Sequence, residues 1–304
     1  MRPRRSFEDR PRGASTWLRL SVPLAILAMA GSIVAIARED AIYGKETANW
    51  AAQAIGQDIA NLVAFPTLLV LAFIAARGSL RAYIGWLGVL TYSTYTYALY
   101  VFDIHFGPLF LVWVAVFGLS VFTLVGGLTS LDPIRVRSRF AARAPVKSTG
   151  ALLVGIGSVF YALWLSEIVP SLFAGTTPEI LVESGLPTNP VHVLDLAVFL
   201  PTAILAGILL RRSRPWGYVL APMILVGMVF ISLGIVSLMT ILWLRELDAT
   251  PVVATIIALL GAVEAIVVVR FLRAVTPGAM APDAELSPSA PEERVRSLSM
   301  GRSA

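Results

Sequence analysis

From residue 16 to residue 273 the chain is a succession of apolar runs joined by short polar links. The runs lie at about 16–37, 55–76, 82–102, 108–130, 150–173, 190–210, 216–243 and 251–273. Each is close to the roughly 20 residues that cross a bilayer core as a helix. Composition agrees: 57% of residues are hydrophobic and 14% charged, against about 25% charged in soluble domains. A soluble globule of this length cannot hide so much apolar surface, so lipid must be the solvent for much of it. The expected fold class is therefore all-α, a polytopic membrane protein of eight transmembrane helices over 16–273.

The charges orient these spans. With the N-terminus inside, the inner segments hold 21 of the 24 basic residues, and only Arg38, Lys45 and Arg245 fall outside. This is the asymmetry of the positive-inside rule, and every inner loop obeys it. Both termini are then cytoplasmic. The 22 arginines against 2 lysines suit a GC-rich bacterial genome, which points to a bacterial cytoplasmic (inner) membrane. The positive charge sorts by membrane side instead of forming a nucleic-acid surface. The outer side carries eleven acids, Asp58, Asp103 and Asp195 among them, and should attract cations.

Residues 1–15 and 274–304 are polar and read as disordered cytoplasmic ends. The first run contains Ala28-Met29-Ala30 and Ala35-Ile36-Ala37, which resemble signal-peptide cleavage sites, but its length favours an uncleaved anchor. The longer outer links suggest short interfacial helices at Ala41–Gln53 and Pro178–Glu183, with Thr177 capping the latter.

An internal echo suggests two parallel four-helix halves, about 16–130 and 150–273. Pro66-Thr67 and Pro201-Thr202 stand mid-helix. Arg77 and Arg212 follow eleven residues later, then Tyr83 and Tyr218 six further on. Pro108 and Gly118 match Pro251 and Gly261. Each mid-helix proline removes a backbone hydrogen bond and is expected to kink its helix.

Polar residues inside spans demand an account, since a charge at the bilayer centre costs about 2.5–3.5 kcal/mol on insertion scales. Asp58 and Asn61 share a helix face, as do His192 and Asp195 in the sixth span, where Asn189 should cap and Pro190 begin the helix. Glu167 lies near the same outer level. If the halves face each other, these five converge on one outward-facing polar pocket. The third span, with Tyr92 and Tyr95 among many hydroxyls, either lines that pocket or bonds neighbouring helices. Tyr97 and Tyr100 read as an interfacial aromatic belt. Glu264 stands alone in the last span and is the candidate proton-coupling carboxyl.

Several chemistries are excluded. There is no cysteine, hence no disulfide or thiolate site. Nucleotide-binding glycine motifs and the hydrolase nucleophile elbow are missing, so no cofactor is expected. No zinc-type spacing supports a metal site from His105, His192, Asp58 and Asp195. The stretches Gln57–Asn61, Phe106–Ala115 and Pro187–Asp195 resemble a family of bacterial multi-pass membrane proteins without an established activity. The resemblance implies the architecture over about 16–273 and no mechanism.

The sequence therefore points to a transporter or permease-like protein. Asp58, Asn61, Tyr92, Tyr95, Glu167, His192 and Asp195 would bind a small solute or cation, with no residue assigned to catalysis and the bilayer as the other partner. The alternatives are an intramembrane enzyme at the outer leaflet, with His192 as base oriented by Asp195, and a non-catalytic partner or sensor subunit.

Overall fold

The computed structural model describes residues 14–247 and 249–276. The segments expected to be disordered lie outside these residues, apart from Ala14, Ser15 and Ala274–Thr276. The described chain is all-helical, with one isolated bridge between Phe140 and Val275. The first half comprises α1 (Ala14–Ala37), the short α2 (Glu39–Tyr43), α3 (Ala48–Ala76), α4 (Leu80–Asp103) and α5 (Phe110–Thr129). A short α6 (Pro133–Ser138) leads to α7 (Val146–Ala174), α8 (Glu179–Ser184), α9 (Pro190–Leu194), α10 (Leu200–Arg211), α11 (Gly217–Leu244) and α12 (Pro251–Arg273). A π turn, Asp195–Phe199, joins α9 to α10 in one span.

Local chemistry sets the helix ends. Thr47 and Ser79 cap α3 and α4 by accepting from Trp50 N and Ala82 N. Asn189 accepts from Val191 N and His192 N, with Pro190 as first helical residue, as its sequence predicts. Pro178 itself occupies the N-cap of α8, so Thr177 does not cap it. The Ala41–Gln53 helix divides into the end of α2 and the start of α3, interrupted at Gly44–Thr47.

Seven of the helices are long and apolar enough to cross a membrane. The exception is α4, whose composition is too polar although it has 24 residues. Its ends show that it runs the length of the bundle. At one end, here called the α2 end, His105 bonds Glu46 and Lys45 bonds Phe106 O. At the other, the α6 end, Arg81 donates to Arg273 O and Val275 O beside the contact of Ala141 N with Ala274 O.

Packing explains why α4 tolerates polarity. It is enclosed by α3, α5 and α11, and most of its residues are buried. Several of its polar groups find partners on those neighbours and on α1. Trp86 Nε1 donates to Ser21 Oγ at 2.7 Å, Tyr83 Oη to Gly127 O at 2.8 Å, and Ser93 and Ser120 share a hydrogen bond of 2.7 Å. Tyr97 and Tyr100 are also buried, 2% and 4% exposed, so they do not form an interfacial belt. Both are wanted inside, where their rings fill space and a carboxylate needs a hydroxyl.

Helices α1, α3, α4 and α5 pack in a ring, and α7, α10, α11 and α12 pack in the same cyclic order. Helix α11 joins the groups by lying on both α3 and α4. The proline-bearing helices α3 and α10 are not packed neighbours, so they do not form the expected facing pair. Nor do the prolines act alike. Helix α3 continues as α-helix through Pro66, whereas Pro201 follows the π turn, in which Leu200 N–H donates to Asp195 O.

Small residues permit the central crossing, as they do generally where membrane helices approach closely. A Cβ at Gly88 would stand 2.4 Å from Val226 Cβ and 2.7 Å from Met223 O, and one at Gly56 would stand 2.3 Å from Leu238 Cα. Gly118 faces open space. Gly88→Leu should therefore overpack the α4–α11 crossing and destabilise by about 1–3 kcal/mol or more. A detergent melting curve should show the loss, with Gly118→Leu close to wild type.

Candidate functional site

The residues expected to converge on one pocket form two clusters instead, each reaching α4. The first is centred on Asp58, ten residues into α3 and 2% exposed. Tyr43 Oη donates to its Oδ2 at 2.7 Å and Tyr100 Oη to its Oδ1 at 3.0 Å. Asn61, one turn on, donates to Ser32 Oγ at 3.3 Å and, at 3.4 Å, to Tyr100 Oη. Tyr92 Oη donates to Asn61 Oδ1 at 2.8 Å, and Gln57 Nε2 lies 2.5 Å from Tyr92 Oη. Hydrogen bonds to a buried carboxylate are worth more than neutral ones, and both oxygens of Asp58 have one.

An aromatic clamp fixes this geometry. Trp113 of α5 stacks against Tyr43 at 6.4 Å and against Tyr100 at 5.4 Å. The two phenols that hold Asp58 are thus held by one indole. Tyr43 also forms part of the wall of a cleft of about 390 Å³ at the α2 end, with Glu39, Asp40, Glu46 and Arg245 around it. Arg245 pairs with both oxygens of Glu39, at 2.5 and 2.7 Å, and that hydrogen-bonded pairing holds the guanidinium above its ordinary pKa. A hydrogen-bonded chain therefore runs from an acidic cleft through Tyr43 and Asp58 to Tyr92, about half way along α4.

The second cluster joins α7, α9 and α4. Trp164 is its hub: its ring lies 4.5 Å from that of His192, and its Nε1 donates to Asp195 Oδ2 at 2.8 Å. His192 Nε2 is 3.4 Å from Glu167 Oε2. Tyr95 of α4 stands beside Asp195. His192 and Asp195 are buried, whereas the Glu167 side chain is 44% exposed. The i, i+3 spacing does bring His192 and Asp195 to one face, but Asp195 does not orient the imidazole. Its hydrogen bond goes to the indole, and Glu167 is the carboxylate beside His192.

Glu264 belongs to neither cluster. It is 1% exposed between α12 and α11, where Ser232 Oγ donates to its Oε2 at 3.0 Å.

Sequence patterns did not mark Tyr43, Tyr100, Ser32, Gln57, Trp113 or Trp164 as members of these clusters. The only local signals were Gln57 beside Asp58, and Trp164 one turn before Glu167. The remaining partners come from other helices, and spacing along one helix cannot find them.

Comparisons of the chain with protein-family models, with curated proteins and with solved structures gave no match. Its chemistry rests on its own residues.

Removing one donor from Asp58 should be costly. Tyr100→Phe leaves Oδ1 buried without its hydroxyl, an expected loss of about 1–3 kcal/mol. In a double-mutant cycle with Asp58→Asn, the effects of the two substitutions should be clearly non-additive in detergent melting curves.

Proposed function

We propose that this integral membrane protein is a carrier with eight spans, in which α4 is the third, enclosed by the other seven. Both termini lie in the cytoplasm of a bacterium and the α2 end faces outward. Two parallel four-helix halves account for the shared cyclic packing order. A two-fold relation that exchanges α4 with α11 also pairs the contact of α3 on α11 with that of α9 on α4.

One observation carries the carrier reading: the buried Asp58 carboxylate is linked through the Tyr43 hydroxyl to an acidic cleft at the α2 end. A carboxyl so far from bulk water is expensive to retain and is a functional site by default. Asn61 and Gln57 have amides, which orient hydroxyls more readily than they pass protons. Tyr43, Asp58 and Tyr100 are accordingly the groups assigned to load a proton or a cation from outside. Glu264 is assigned the next proton position. The cluster of Tyr95, Glu167, His192 and Asp195 is assigned to the solute, with Glu167 as its exposed member. An acidic entrance favours cationic solutes.

The closed packing around Asp58 favours a second reading, a non-catalytic partner or sensor subunit, in which the network only fixes the fold. Energised everted vesicles carrying the protein separate the two. A panel of organic cations and amines, read by dequenching of a pH-sensitive dye, should include members that collapse the gradient in wild type. Asp58→Asn should reduce that response at least tenfold. Equal responses from wild type, Asp58→Asn and empty vesicles overturn the carrier reading.

The orientation has its own test, made simple by the absence of native cysteine. In intact cells an impermeant maleimide should label Lys45→Cys. It should label Lys147→Cys only after permeabilisation. The reverse pattern inverts the topology.

A further inference from the structure

Beside the two clusters lies a cleft of about 450 Å³ at the α2 end. It opens between the last turn of α4 with its following link and the Gly185–Pro190 segment that leads into α9. Its size falls within the roughly 300–1,000 Å³ of small-molecule sites. Most of its wall is apolar: Phe102, Leu186, Pro187, Val193 and Leu194.

One wall residue breaks this pattern. Asp103 is 7% exposed, and its Oδ2 is fully buried with no hydrogen-bond partner. The charged groups acting on it are Glu46 and His105. These two are engaged with each other, since Glu46 Oε1 accepts from His105 N at 2.8 Å and lies 3.0 Å from His105 Nδ1. Lys45 donates to Phe106 O at 2.8 Å. The cleft thus combines an apolar wall with a buried acid whose Oδ2 has no hydrogen-bond partner among the described residues.

We infer that this cleft binds an amphiphilic amine, with the protonated nitrogen set against the Asp103 carboxylate and the hydrocarbon body against Phe102, Leu186, Pro187, Val193 and Leu194. An acid in the wall disfavours an anion. A bare divalent cation would need several oxygen ligands, and among the described residues no group of three acids or histidines is placed to hold a metal. Apolar walls give such an ion nothing, but they reward a hydrocarbon chain in proportion to the area it buries. Phe102 and Val193 are 73% and 56% exposed, so the cleft opens sideways as well. A ligand with an alkyl chain can enter from the bilayer and keep its nitrogen at the polar level. The inference is independent of the carrier reading, because it concerns residues outside both clusters and is tested by binding alone.

The test uses the full chain in phosphatidylglycerol nanodiscs, titrated calorimetrically with octylamine or octanol, with empty nanodiscs subtracted. Octylamine should bind wild type at least tenfold tighter than octanol does. Asp103→Asn should weaken octylamine at least tenfold and leave octanol unchanged. Val193→Trp, which fills the cleft from its exposed side without altering charge, should weaken octylamine at least fivefold. It decides the matter if Asp103→Asn does not fold. Adding phosphatidylethanolamine identifies the source of the amine. Weakened octylamine binding then means that a lipid headgroup occupies the cleft, and unchanged binding means a free amine. Equal affinity for octylamine and octanol, or octylamine binding unaffected by either substitution, overturns the inference.

Discussion

A helix carrying Thr91, Tyr92, Ser93, Thr94, Tyr95, Thr96, Tyr97 and Tyr100 cannot present all its faces to lipid, because hydrocarbon offers a hydroxyl no partner. The structure answers this by enclosing α4. Helices α3, α5 and α11 cover it, and α1 supplies Ser21 to Trp86. Helices α7 and α12 take the exposed positions: their spans are mostly unburied, which suits contact with acyl chains. The bundle is thus organised by one polar helix that needs protein around it.

The same enclosure creates the candidate site. Asp58 on α3 faces α4, where Tyr100 waits. Trp113 on α5 then holds both Tyr100 and Tyr43. Burying an ionisable group between donors from α2 and α4 couples their positions, since moving either one leaves a buried oxygen unsatisfied. Tyr95, on the same helix, stands beside Asp195. Helix α4 is therefore the common wall of two polar clusters. Rotation or tilting of α4 would disturb both, which is the mechanical link that a coupled carrier requires.

Much of the fold was legible along the chain. Hydrophobic run length fixed the helices to within a few residues in most cases, since the bilayer imposes one length on every span. The Asn189-Pro190 cap was legible because capping is local. The site was legible only in its acids. Asp58 and Asp195 stand out because a carboxyl in an apolar run is rare and costly. Their partners do not stand out. Tyr100 near the end of an apolar run suggests an interfacial belt, but it is buried because α5 and α2 close over it. His192 and Asp195 suggest a base with its orienting acid. Trp164 instead intervenes from a helix whose register against α9 the sequence does not state.

The sequence by itself determined that the chain is a helical membrane protein, where most of its long helices begin and end, and which acids are candidates for function. These follow from solvation and backbone geometry, which act on consecutive residues. Only the tertiary structure decided that α4 is central, that α3 faces α11 and not α10, and that the polar residues divide into two clusters. Those outcomes depend on which side chains interlock across helices, at close approaches such as Gly88 on Val226. Side-chain packing between distant segments has no period along the chain from which it could be read.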